Sequence, residues 1–401
     1  MKLVVVQGPL SRGQLKLYLL AVLFFAANAI LTVILPLQGD AGGMEQGEIG
    51  LMMGAYMLTC MVFRPWAGQL LSRCGALAIM RVLLIVHGSC LVLYSLAGID
   101  SYLWLRALQG AVTAFFSMIM QMGMVQLLSA EHRAQGMSLY TLSTMIPQLF
   151  GPLLALYLWD TGESSLFIGI MIALGVTTWL TGHFAPLPVT PLGEGSFTFR
   201  EMLRSFTQLW HNRILLVCSV VMLFASCVFG AVSTFLPLYM EKTGAGHAGY
   251  YLMLQGLVVV VCRFVLRKHI PSDGSWHSGL YAGLLLSAAA GSGLLAVLES
   301  AGALLYVSAV CNGVAVALLY PSLVTYLSFV LPSRNRAVLL GLFISSYDLG
   351  FSSGGLLMGM AAQQLTYSGM FTLCAGLCVA ACLVVLLNRN PMRSGESGPL
   401  R

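Results

Sequence analysis

The sequence predicts an all-α membrane protein of twelve transmembrane helices in two pseudo-symmetric six-helix bundles, with both termini cytoplasmic. Three observations carry that prediction. Hydrophobic residues make up 58% of the 401 and charged residues only 8%, against about a quarter charged in a soluble domain. Twelve apolar stretches approach the roughly 20 residues that a helix needs to cross hydrocarbon. The second half also repeats the punctuation of the first about 200 residues later. Arg64 precedes Gly75 by the same interval that separates Arg263 from Gly274. Leu35-Pro36-Leu37 maps onto Leu236-Pro237-Leu238, Gln109-Gly110 onto Asn312-Gly313, and Arg133 onto Arg336. Two homologous bundles fused in tandem produce such a pattern, and secondary transporters place their substrate site between the halves.

The stretches begin near Leu15, Gly47, Ala76, Tyr102, Gly136 and Ser165, and again near Arg213, Ala248, His277, Ala301, Ala337 and Ser368. The first is too long for a cleavable leader and belongs to the repeat. It carries Asn28 and Thr32 at i, i+4, facing a common cavity. The second carries Tyr56, Thr59 and Arg64. In the third, His87 is expected as a neutral, hydrogen-bonded core residue. The fourth holds Arg106 at the head of a polar line through Gly110, Thr113, Ser117 and Gln121, all on one helical face. Its methionines, Met118 to Met124, point in two directions and read as core filling rather than a soft-metal site.

The fifth stretch is expected to kink at Pro147 and at Gly151-Pro152, where proline removes a backbone hydrogen bond, and Gln148 lies beside that hinge. Residues 185–212 form a cytoplasmic linker between a first bundle, 1–184, and a second bundle with its tail, 213–401. Within the linker, the capping-box string Thr198-Phe199-Arg200-Glu201 predicts a short interfacial helix. The eighth stretch carries Arg263. The eleventh carries Asp348, with Ser345 and Ser352 on its face, and glycines 350, 354, 355 and 359 for close helix approach. Cys374, Cys378 and Cys382 share a face of the twelfth and read as small packing residues.

Basic residues are retained on the cytoplasmic side of a membrane. Lys2, Arg12, Lys16, Arg133, Arg213, Arg336, Arg389 and Arg401 all fall on one face if the N-terminus is inside, and Lys242 falls on the other. The opposite face collects Asp40, Glu45, Glu48, Asp100, Asp160, Glu163, Glu241 and Glu299. The net charge of +6 is thus a topology signal, not a nucleic-acid signature. No Walker loop, nucleophile elbow, dinucleotide fingerprint or metal-ligand spacing appears, so neither an enzyme nor a cofactor or resident metal is expected.

Intramembrane charges are costly and ask for a reason. Arg106 either tunes a water-accessible cavity or ties helices together through carbonyls. Asp348, desolvated within its span, is suited to exchange protons, or it forms a static pair. Arg64 and Arg263 either line an inward-facing cavity or snorkel to the interface. Three arginines against one aspartate bias the interior toward an anionic or zwitterionic substrate.

The loop after the second stretch, Gly68-Gln69-Leu70-Leu71-Ser72-Arg73-Cys74-Gly75, resembles the GxLxDRxG signature of the major facilitator superfamily, with Ser72 in place of the usual aspartate. Arg106 and Gly110 match that family's RxxxG element, and Gly151-Pro152 partly matches its antiporter motif, with Leu154 and Ala155 replacing the trailing glycines. The resemblance implies gating at Gly68, Arg73 and Gly75, and a role for Arg106 in proton coupling. Within the superfamily, Ala27-Asn28-Ala29-Ile30-Leu31 and the strings 54–69 and 106–118 look similar to bacterial exporters of opine metallophores. That implies a proton-driven efflux antiporter in the bacterial inner membrane, embedded in lipid and handling a small polycarboxylate amine; a monomer is the expected form, with other oligomeric states left open. A multidrug efflux antiporter and a transport-inactive receptor or scaffold are the alternatives.

Overall fold

The computed structural model describes residues 8–129, 132–187, 212–266, 271, 274–298, 302–332 and 336–388. The short helix expected within the linker, 198–209, lies outside the described residues. Among the described residues the long elements are all helical: α1 Arg12–Ala41, α2 Gln46–Cys74, α3 Ala76–Leu96, α4 Tyr102–Leu127, α5 Arg133–Thr161, α6 Ser164–His183, α7 Arg213–Thr243, α8 Ala248–Val265, α9 Ser278–Ala296, α10 Leu304–Val330 and α11 Arg336–Leu387. Ten of these are long and apolar enough to cross a membrane, all except α2. α11 is two helical arms joined at Thr366, whose φ of 73° and ψ of 168° interrupt the helix. The turn expected between the eleventh and twelfth stretches is therefore compressed into a single β-branched residue in a conformation such residues avoid.

Contacts divide the chain into two compact units, Met1–Gly42 with Ala55–Thr198, and Gly43–Gly54 with Phe199–Arg401. In the first, α1 packs on α5 and α6, and α3 packs on α4 and α6. Its core runs through Leu17, Phe24, Met80, Leu84, Phe116 and Met120. In the second, α7 and α9 pack on α11, and α8 and α9 pack on α10. The start of α2 joins this unit, where Ser352 Oγ donates to the Gly54 carbonyl at 2.8 Å.

The repeat seen in the sequence reappears as repeated geometry inside each unit. A Cβ on Gly110 would strike the Tyr56 carbonyl, and one on Gly313 would crowd Val258 and the Gln255 carbonyl. A Cβ on Gly151 would strike Ala29, and one on Gly354 would strike the backbone at Cys227 and Ala231. The same two helix crossings thus occur twice, each needing glycine because the helices approach too closely to admit a Cβ. Lipid removes the hydrophobic drive for helix association, so such close van der Waals approach is a main source of cohesion.

Helix ends repeat as well. Ser11 Oγ caps α1 by accepting from Gln14 N at 3.3 Å, and Asn212 Oδ1 caps α7 by accepting from Leu215 N at 3.0 Å. Gly75 and Gly274 both adopt positive φ, 75° and 70°. Several basic residues bond to carbonyls or side chains at helix ends. Arg81 donates to the His183 carbonyl through Nε at 3.3 Å and Nη2 at 3.2 Å, Arg336 donates likewise to the Leu331 carbonyl, and Arg213 Nη2 reaches Asn388 Oδ1 at 3.0 Å.

Candidate functional site

In the first unit, Arg106 lies on α4 and is only 1% exposed. Its Nη1 donates to Asn28 Oδ1 at 2.9 Å and to Gln109 Oε1 at 3.0 Å, and its Nη2 donates to Thr32 Oγ1 at 3.3 Å. The i, i+4 spacing on α1 brings Asn28 and Thr32 to one guanidinium, with the Thr32 hydroxyl itself donating to the Asn28 carbonyl at 2.7 Å. The Tyr56 ring lies beneath the cation, 4.9 Å from Cζ to the centroid. Fixed dipoles and a π face stabilise a buried charge that hydrocarbon alone would reject.

A second layer holds these groups. The Tyr56 hydroxyl donates to Thr113 Oγ1 at 3.0 Å, and the Thr113 hydroxyl donates to the Gln109 carbonyl at 2.9 Å. Thr59 Oγ1 donates to the Ala107 carbonyl at 2.8 Å, binding α2 to α4 beside the Gly110 crossing. The Tyr94 hydroxyl donates to Gln109 Oε1 at 3.2 Å, and the Tyr102 hydroxyl shares its single proton between the Tyr94 carbonyl at 3.1 Å and Gln38 Oε1 at 3.2 Å. The network ends at a cavity of about 370 Å³ within this unit, lined by Gln38, Tyr94, Tyr102, Trp159, Glu163 and Phe167 among others.

The rest of the expected polar line divides. Thr113 is buried, whereas Ser117 is half-buried and Gln121 is exposed. Gln148 is exposed on α5, while Pro147, Gly151 and Pro152 are buried. Arg64 is half-buried, with Nη2 3.8 Å from Cys60 Sγ. Gly68 and Arg73 lie near the end of α2, with side chains outside the described residues, and Gly75 is buried at the start of α3.

The expectation of a satisfied His87 fails. Both ring nitrogens are buried without a hydrogen bond, and the ring stacks on Phe24 at 4.3 Å, with Phe116 stacked on the far side of that phenyl at 3.7 Å. Aromatic stacking in a tight core has overridden polar satisfaction. Gln109 and Tyr94, central to the Arg106 network, were not among the residues singled out for function. The Gln109-Gly110 repeat was their only trace, and its counterpart, Asn312, also proves buried, donating to the Tyr251 hydroxyl at 3.0 Å.

In the second unit Asp348 is 1% exposed on α11. On the same face, Ser345 donates to the Gly341 carbonyl at 3.0 Å. Arg263 is half-buried in the last turn of α8, closer to its helix end than Arg64 is to the end of α2. Relative to the glycine crossings, however, the two arginines are equivalent, each two turns beyond the carbonyl that its partner glycine meets. Arg106 therefore belongs to one unit, and Arg263 and Asp348 to the other. No group of three or more potential metal ligands occurs among the described residues.

Known proteins agree with this architecture. The staphylopine export protein of Staphylococcus aureus (strain Mu50 / ATCC 700699) is 41% identical over 396 residues, covering 98% of this chain and 100% of the relative. Among solved structures, the nucleoside transporter NupG superposes with a TM-score of 0.80 at 12% identity, over 94% of this chain and 99% of that one. A bacterial homologue of the human lysosomal transporter Spinster, inward-facing and unoccupied, gives 0.74 at 14% identity, over 97% and 98%. The human organic anion transporter MFSD10 gives 0.68 at 17% identity, over 94% and 100%. These structural likenesses speak for the fold alone. Residues 17–272 and 277–401 match the Major Facilitator Superfamily, and the chain, a multi-pass membrane protein, belongs to that family.

Proposed function

We propose that this protein exports an opine-type metallophore, a small polycarboxylate amine, across the bacterial inner membrane. The observation that carries this reading is the end-to-end 41% identity to a relative named for staphylopine export. The half-buried Arg64 and Arg263 support an anionic cargo, because guanidinium forks match carboxylates in geometry and charge.

In this reading the chain crosses the membrane twelve times, with α2 and the two arms of α11 completing the count and both termini in the cytoplasm. Two bundles, 1–184 and 213–401, rock to alternate access. Arg64 and Arg263 draw carboxylates from the cytoplasm, and Arg106 sets the polarity of the first bundle's wall. Asp348, deep in α11, exchanges a proton against the cargo. Bending at Pro147, Gly151 and Pro152 accommodates the motion.

The test is chemical. Deleting the gene and comparing cells with spent medium under metal starvation is expected to trap a polycarboxylate metallophore inside and remove it from the medium. An unchanged distribution of such molecules overturns the reading and moves the weight to multidrug efflux.

A further inference from the structure

In the second unit an unusual anchor ties an arginine to the middle of α10. Arg263 Nε donates to the Ala317 carbonyl at 3.3 Å. That carbonyl is open because its helical partner four residues on is Pro321, which has no N–H and lies inside α10. The bond aims the Arg263 side chain across to the middle of α10, and it orients the guanidinium plane.

Beside it runs a ladder of rings. Tyr320 stacks on the fully buried Phe343 with centroids 5.9 Å apart, meets Tyr347 edge-on at 5.4 Å, and Tyr347 approaches Phe351 at 6.3 Å. Tyr320 lies three residues along α10 from Ala317, one turn from the carbonyl that Arg263 reaches and on the same helix face. Arg263, Tyr320 and Tyr347 are each half-buried. A guanidinium turned toward hydrocarbon costs on the order of 3 kcal/mol or more, so the open side of this cluster faces water or a ligand.

We propose that Arg263, Tyr320 and Tyr347 form a specificity subsite that recognises a carboxylate carried next to a planar ring. The guanidinium takes the carboxylate, and the tyrosine faces take the ring, whose edge and face are complementary to theirs. Arg106 does a different job, since its 1% exposure and its bonds to Asn28, Thr32 and Gln109 leave it little surface for cargo. This subsite deepens the export reading and rests on it for the class of cargo.

A matched pair of probes isolates the ring: the N-(1-carboxyethyl) derivatives of phenylalanine and of alanine share two carboxylates and a secondary amine. Binding of each to the purified full-length protein is measured by calorimetry, beside uptake of staphylopine into inverted membrane vesicles. The wild type is expected to bind the phenylalanine derivative about 10-fold more tightly. Tyr320→Leu and Tyr347→Leu reduce that preference to about 2-fold or less, Tyr347→Phe keeps it, and Arg263→Gln weakens both probes alike. Monodisperse, thermally stable Tyr347→Phe protein serves as the folding control.

A wild type that binds both probes equally or binds neither, or leucine variants that keep the preference, overturns the subsite whatever the vesicles do. Ring preference lost in the leucine variants supports the subsite even where the vesicles fail to accumulate staphylopine, a failure that counts against the export reading alone.

Discussion

Arg106 makes the residue-scale case that a buried charge is only as stable as the dipoles aimed at it. Its removal in Arg106→Ala takes the guanidinium donor from Asn28 Oδ1 and leaves Gln109 Oε1 with only the Tyr94 hydroxyl inside the first unit. Each hydrogen bond to a charged group contributes about 1.5–3 kcal/mol, so transport is expected to fall at least 10-fold with insertion intact, as read by efflux normalised to membrane protein. Arg106→Ala with full activity would remove the residue from the mechanism. Asp348→Asn keeps the shape of a buried side chain while removing the ionisable carboxyl that the proposed coupling requires. The expected outcome is transport that no longer responds to a pH gradient across vesicles, and an unaltered response would sink the coupling role. The residue types at these positions were legible as intramembrane charges in an apolar run. Of their partners, Asn28 and Thr32 were legible as a cavity-facing pair, whereas Gln109 and Tyr94 were not, because these groups meet only when three helices pack.

At the scale of elements, glycine position decides which helices touch. Gly110 sits against a backbone carbonyl, which cannot move aside as a side chain can, whereas nothing lies within 4 Å of a Cβ placed on Gly283 in α9. Gly110→Ala is therefore expected to lower the melting temperature markedly in detergent, while Gly283→Ala leaves it unchanged or raises it slightly, since alanine is favoured over glycine in a helix by about 0.8–1.0 kcal/mol. Thr366 is a second element-scale feature, with its φ of 73°. Thr366→Gly relieves strain of roughly 1–3 kcal/mol, and a lower melting temperature for that variant would show that side-chain contacts of Thr366 outweigh its backbone strain. The Gly110 and Gly313 crossings were foreshadowed by their repeat. The compression of the last turn onto Thr366 was not, because the turn signal in the sequence, Ser368-Gly369, lies two residues beyond it.

For the whole molecule, the charge asymmetry makes an accessibility prediction. Glu163 and Arg133 are both exposed in the first unit, and the proposed topology puts them on opposite sides of the membrane. A membrane-impermeant thiol reagent added to intact cells is expected to label Glu163→Cys and to spare Arg133→Cys until the cells are opened. The reverse pattern would invert the topology. Background labelling is limited because Cys60, Cys90, Cys218, Cys227, Cys374, Cys378 and Cys382 are buried.

Composition, the spacing of Lys and Arg, and the internal repeat determined by themselves that this chain is a helical membrane protein built from two related halves. Those are properties of single residues and of residue order, and lipid acts on them directly by rejecting charge and unpaired backbone. Tertiary structure alone decided that His87 stacks without a hydrogen bond, that Gln109 and Tyr94 steady Arg106, and that the carbonyl freed by Pro321 anchors Arg263 beside Tyr320 and Tyr347. Each depends on groups far apart in the chain meeting within a few ångströms, and hydrogen-bond and ring geometries at that range follow from helix packing, not from spacing along a strand of sequence.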